Sequence, residues 1–141
     1  MSRGPIIVDF IVPGIPRPQG SKVGFVTDAG KVRMREDAQG VEAWRADIRL
    51  LAKAKMRGKL PVNIPVDVQL AFCFKGGPLG WKATKPDIDK LCRAVLDALG
   101  STKVAPAGVV FSDDCQVVAL SATKVYAATD CAIITVRAAD A

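Results

Sequence analysis

Apolar positions along the chain switch between a period of two and a period near 3.6, and the switches mark out the elements. Ile6 to Val12 (Ile-Ile-Val-Asp-Phe-Ile-Val) reads as a strand, stopped by Pro13-Gly14 and a loop with Pro16 and Pro18. Val23 to Thr27 and Lys31 to Met34 flank Asp28-Ala29-Gly30, whose turn chemistry predicts a short hairpin. A helix is expected from about Glu36 to Arg57, with Val41, Trp44, Ile48 and Leu51 as its buried stripe and Gly40 weakening its first turn. Pro65 to Lys75 alternates in part and predicts a central strand. Gly76 to Lys82 reads as a flexible loop. A second helix is predicted from about Asp87 to Leu99, with Leu91, Ala94, Val95, Ala98 and Leu99 facing the core and Gly100 ending it. Cys115 to Val125 and Cys131 to Arg137 complete the set as strands. No repeat, low-complexity run or linker divides these elements, so one mixed α and β domain over residues 1–141 is expected.

Composition narrows the chemistry. A chain of 141 residues, half of them hydrophobic, suits one core. No run approaches about 18 apolar residues, and Met1-Ser2-Arg3-Gly4-Pro5 lacks a signal peptide's apolar stretch, so a soluble, cytoplasmic protein without membrane contact is expected. The absence of histidine excludes Ser-His and Cys-His nucleophiles. Cys73, Cys92, Cys115 and Cys131 form no Cys-x-x-Cys pair and are expected as reduced, buried thiols.

Charge divides the chain. Residues 1–60 hold twelve Lys/Arg against six Asp/Glu, whereas residues 61–141 hold eight of each, so the whole net charge of +6 belongs to the first part. Such a division suits an enzyme that grips phosphates with one region and cuts with another, although basic surfaces also arise for solubility alone. Within the basic part, Arg45, Arg49, Lys53 and Arg57 recur every four residues on one helix face. That row can run beside phosphates, and a solvated helix face explains it equally.

The candidate chemistry lies in Lys85-Pro86-Asp87-Ile88-Asp89-Lys90-Leu91 and in Asp113-Asp114-Cys115-Gln116-Val117. Both sets of acids fall at edges of predicted elements. Mg²⁺ prefers oxygen ligands and often takes only one or two carboxylates, leaving places for water and a substrate phosphate. Asp87 and Asp89, joined by Asp114, have the chemistry for such an open site, and Lys90 or Arg93 lies within the next turn to meet charge developing on a phosphoryl group. A purely structural account stands beside this one. It makes Asp87 an N-cap, Asp89 a partner of the helix dipole, Asp113-Asp114 a turn, and Asp97 a surface partner of Arg93.

Pro86-Asp87-Ile88-Asp89-Lys90-Leu91, then Ala94, Asp97-Ala98-Leu99 and Asp113-Asp114-Cys115-Gln116-Val117, closely resemble the signature of RusA-type Holliday junction resolvases of phages and prophages. Val12 to Lys22 also resembles that family's opening strand and loop. The resemblance implies an α+β single domain, a mixed sheet packed against two main helices, acting as a homodimer. It implies a Mg²⁺-dependent endonuclease, with Mn²⁺ as a substitute, that resolves four-way junction DNA by paired nicks in recombination and repair. By motif position the metal and catalytic acids become Asp87, Asp89 and Asp114, with Asp113 a weaker neighbour. The family's lysine corresponds to Arg93, and Lys90 stands where many members have Asn, so either is the catalytic cation.

A four-way junction has two-fold symmetry, and one site per chain then calls for two chains. Arg17, Lys22, Arg33, Arg35, Lys82 and Lys85 are candidate phosphate contacts, each also readable as an ordinary exposed base. Trp81 and Phe25 are large enough to wedge into a junction's centre, with loop packing the equal alternative. Two rival functions remain open: a nuclease of broader specificity for flaps, forks or duplex, and a non-catalytic junction-binding protein.

Overall fold

A computed structural model describes residues 4–20, 22–26, 28–36 and 40–140, with only the backbone described for 22–26 and 32–36. Its frame is a five-stranded sheet in the order β1-β7-β4-β6-β5, formed by β1 (Ile6–Pro13), β4 (Val66–Phe74), β5 (Gly80–Trp81), β6 (Val117–Tyr126) and β7 (Cys131–Ala138). The predicted hairpin forms as β2 (Lys22–Val26) and β3 (Val32–Glu36) in a separate two-stranded sheet.

Strand β4 is central, as its apolar run predicts. It pairs antiparallel with β7 and parallel with β6. A parallel neighbour cannot be reached by a tight turn, and α2 (Ile88–Leu99) lies in the crossover between β4 and β6. The acidic motif is therefore placed by topology: it leads out of the crossover loop into α2, beside the C-terminal end of the parallel pair. Open sheets that contain such units commonly bind ligands at that end.

Helix α1 (Val41–Met56) begins later than its apolar spacing suggests, because β3 continues through Glu36 and Gly40, at φ 76°, turns the chain into the helix. That left-handed backbone is inexpensive only for glycine. Residues 37–39 lie outside the described set. Val41, Trp44 and Ile48 are buried as expected, and Ala52 and Met56 continue the stripe while Leu51 is half-buried. The loop at 76–82 holds an element the sequence concealed. Gly80 and Trp81 pair antiparallel with Tyr126 and Val125 of β6. Gly77 allows this approach, since a Cβ there would stand 2.5 Å from the Tyr126 ring.

One hydrophobic core lies between the sheet and the two helices, with Phe72, Ile48, Leu91, Leu99 and Phe111 fully buried. Each such side chain contributes about 1.5–3 kcal/mol on burial, so truncating Phe72 to Ala is expected to cost roughly 3–5 kcal/mol. Cys73 and Cys92 are buried as expected, but Cys115 is exposed and Cys131 half-buried, and all four thiols are free. Cys115 is exposed because it lies in a short 3-10 turn, Asp114–Gln116, where the sequence pattern had placed the start of β6. Among the described residues no helix is long and apolar enough to cross a membrane.

Candidate active site on the α2–β6 groove

Helix α2 forms because one stripe, Leu91, Cys92, Ala94, Val95, Ala98 and Leu99, is apolar at helical spacing and buries against the core. Asp87 is its N-cap by backbone conformation (φ −70°, ψ 136°), yet its side chain makes no capping hydrogen bond. The carboxylate instead accepts from Lys85 Nζ at 3.0 Å and lies 4.0 Å from Lys90 Nζ. The Lys85 hydrogen bond and charge, aided by Lys90 and Lys124, hold the Asp87 carboxyl below the usual range. Asp89 is exposed in the first turn and forms no ion pair among the described residues. It stays available to a cation.

The chain entering α2 is braced from two sides. Lys124 Nζ donates to Thr84 O at 2.6 Å and Pro86 O at 2.7 Å. Lys82 Nζ donates to Thr84 Oγ1 at 2.6 Å and Lys85 O at 2.7 Å, and stands over the rings of Phe74 and Tyr126 at 5.3 and 5.2 Å from their centroids. Lys82 thus supports the motif locally rather than projecting freely. Lys124 was not singled out by the sequence, since nothing in a strand pattern shows that one ammonium will reach back across a crossover.

At the other acidic pair, Asp113 and Asp114 have separate roles. Asp113 accepts from the Cys115 backbone N–H at 2.9 Å, and its own N–H donates to Gln116 Oε1 at 2.8 Å, which makes a reciprocal capping box. Gln116 Nε2 also donates to Val62 O at 3.0 Å and Ile64 O at 2.9 Å. The Asp113-x-x-Gln116 spacing is the signal that could have revealed this anchor. With Asp113 occupied as the cap, Asp114 is turned to the groove. Partial burial and the neighbouring Asp113 push its carboxyl above the usual range, against the pull of Arg93.

Asp89 and Asp114 line one groove between α2 and β6, with Ile88, Cys92, Arg93, Leu96, Leu120 and Ala122, enclosing about 380 Å³. They occupy it at separated places. Asp87 and Asp89 stand at the start of α2, whereas a Cβ on Gly100, just past its end, would lie 3.5 Å from the Asp114 nitrogen. Among the described residues no three Asp, Glu, Cys or His side chains are gathered closely enough to hold one ion. Asp87 and Asp89 together still suit a hard divalent cation, which needs only one or two carboxylates with water and phosphate completing its shell. The two candidate cations also separate: Lys90 approaches Asp87, and Arg93 acts on Asp114.

The basic candidates are less uniform than the sequence suggests. Arg45 is buried and pairs with Glu42, with Gln19 Oε1 and, at 3.9 Å, with Asp97, so Asp97 serves Arg45 rather than Arg93. Gln19 N–H also donates to Lys90 O at 2.9 Å, which ties the first loop to α2. Arg49 is half-buried with its Nε unpartnered, and Lys53 and Arg57 are exposed. Arg17 is exposed beside Gly40 at the start of α1, and Lys85 is exposed beside Asp87. The side chains of Lys22, Arg33, Arg35 and Phe25 lie outside the described residues.

The family model Endodeoxyribonuclease RusA matches residues 13–137, a span that includes every acid of the groove. The chain belongs to the RusA endodeoxyribonuclease family. It is accordingly a DNA endonuclease with the mixed α+β architecture expected above, and DNA recombination is the setting of that family. A search of curated proteins returned no match.

Proposed function

We propose that this RusA-family chain is a Mg²⁺-dependent, structure-selective endonuclease that acts as a homodimer and resolves four-way DNA junctions by paired, symmetric nicks. The observation that carries the reading is Asp87, an N-cap whose carboxylate does no capping, followed two residues later by Asp89, which forms no ion pair among the described residues and lines one groove with Asp114 and Arg93. Neither carboxylate makes a capping hydrogen bond in α2, and beside DNA both would weaken binding unless a cation lay between.

In this reading Asp87 and Asp89 would hold the ion, with Mn²⁺ able to replace Mg²⁺, and Asp114 lines the same groove as Asp89. An ion held there would supply Lewis-acid polarisation of a phosphoryl oxygen and a more acidic water. Arg93 offers a guanidinium to charge developing on the phosphoryl oxygens, and Lys90 places its ammonium 4.0 Å from Asp87. Lys85 balances the Asp87 charge through its 3.0 Å hydrogen bond. Arg17, Lys22, Arg33, Arg35, Lys82 and Lys85 supply the positive surroundings that draw in the phosphate backbone, although Lys82 does so from a braced position.

Two-fold symmetry of the substrate supports a dimer. The outer edge of β6 is also available to a partner: β5 covers it only at Val125 and Tyr126, while Val118 and Leu120 are exposed. The cytoplasm of a bacterial or phage-infected cell is the corresponding compartment.

The test is incubation of the chain with a synthetic four-way junction and a matched linear duplex, each with Mg²⁺ or EDTA. Cutting of the junction alone, and only with Mg²⁺, is expected. Equal cutting of both substrates would replace junction resolution by the broader nuclease, and binding without cutting would leave a junction-binding protein.

A further inference from the structure

The exposed aromatic nearest the acidic motif in sequence has no structural task in the chain. Trp81 is 77% exposed, and Leu79 beside it 82%, although each would ordinarily be drawn into a core. Its backbone is nonetheless fixed. Trp81 is in register with Val125, the next residue donates Lys82 N–H to Lys124 O at 3.1 Å, and Lys82 and Lys124 brace the segment that continues to Asp87. β5 is the outermost strand of the sheet, so the indole stands on its rim at the end where α2 begins. A large apolar plate on a backbone fixed against β6, six residues before a metal-site candidate, fits a flat, uncharged ring attached to a phosphate chain.

We infer that Trp81 is a stacking platform for an unpaired nucleobase of the DNA substrate. This rests on the endonuclease reading and deepens it. Base-paired duplex keeps both faces of each base covered, so the indole gains a partner only where a base has left its stack, as at a strand crossover or a gap. Stacking tolerates any base, because each offers a π-face, so Trp81 selects for structure rather than sequence. Lys82, turned to the opposite side of the strand over Phe74 and Tyr126, fixes the platform's height.

Intrinsic fluorescence tests this directly, because the chain has two tryptophans and Trp44 is only 4% exposed. The intact chain is titrated in EDTA with a four-way junction and, separately, with linear duplex, while electrophoresis follows binding. The junction should quench the emission and shield it from acrylamide, in the chain as it is and in Trp44→Phe, whereas duplex should do neither. Trp81→Ala should weaken junction binding about tenfold without changing Tm, and Trp81→Phe should keep most of the affinity. Junction binding with unaltered emission and acrylamide access, or equal quenching by duplex, would overturn the inference while leaving the endonuclease reading in place. Failure of the unaltered chain to bind a junction at all would overturn both.

Discussion

Arg45 Nη1 lies 3.9 Å from Asp97 Oδ2, and this contact joins α1 to α2 across the top of the core. The same guanidinium holds Gln19 and Glu42, with its side chain only 10% exposed. Arg45 therefore belongs to the fold rather than to a row of phosphate contacts. Removing one member of a buried ion pair costs several kcal/mol, and the exposure of its partners, 32% for Asp97 and 80% for Glu42, reduces this. Arg45→Ala is expected to lower unfolding stability by about 2 kcal/mol, with Arg45→Met recovering part through its alkyl packing. The salt dependence of DNA binding should stay unchanged in both variants, and a flatter dependence would return Arg45 to the DNA surface.

Gln116 is expected to act as a positioning residue for Asp114. It closes the capping box with Asp113 and bonds Val62 O and Ile64 O, fixing the turn that presents Asp114 to the groove. Gln116→Ala should cost about 1 kcal/mol of stability, within the usual range for a lost cap, and should lower the nicking rate with little change in DNA affinity. Unfolding curves and single-turnover cleavage check the two effects separately. A variant that loses stability but cuts at full rate would show that the turn does not govern Asp114.

The elements carrying strong periodicity are legible in the sequence. β1, β4, α2 and β7 fall within a residue or two of their expected bounds, because each buries a continuous apolar stripe. What the sequence could not show was set by contacts made far along the chain. β5 consists of Gly80 and Trp81, too short for any alternation, and exists only because β6 offers an edge. Arg45 looks like every other base in its row, and only the approach of Asp97 and Gln19 distinguishes it. In the candidate site, Asp87, Asp89 and Asp114 were legible as motif positions, but their separation along α2 was not, since spacing in sequence says nothing about which end of a crossover helix meets the returning strand.

Alkaline conditions should destabilise the fold through its buried thiols. Burial, with Cys131 beside it, pushes Cys73 up to about 11, and burial and the Asp89 charge push Cys92 up to about 11, from 9.0 in the ordinary case. The thiolate is thus disfavoured in the folded state. The stabilising difference is complete below pH 9 and is lost as pH rises through the folded value near 11. Urea midpoints under reducing conditions should fall across that window more steeply for the parent chain than for Cys73→Ala/Cys92→Ala. At neutral pH the exposed Cys115 should react with a disulfide reagent well before either buried thiol.

Lys85→Ala should raise the titration midpoint of the Asp87 carboxyl, because the Lys85 hydrogen bond and charge are the chief causes of its depression. A depressed carboxylate contributes stability above its unfolded pKa that disappears as pH falls, so the acid side of the stability profile should flatten in the variant. Carboxyl-carbon NMR titration reads the midpoint itself. An unmoved Asp87 signal would contradict the pairing seen at 3.0 Å.

Asp87 and Asp89, in the proposed reading, serve a cation in a junction-cutting site. The most direct measurement labels each strand of a four-way junction in turn and maps the cuts made with Mg²⁺ by the parent chain and by Asp89→Asn. The parent chain should make matched nicks in two opposed strands. Asp89→Asn should make no cuts, with unchanged Tm and junction binding as tight or tighter, since a negative charge beside DNA has been removed. Full cutting by Asp89→Asn, or loss of binding and folding together with activity, would remove Asp89 from any cation site.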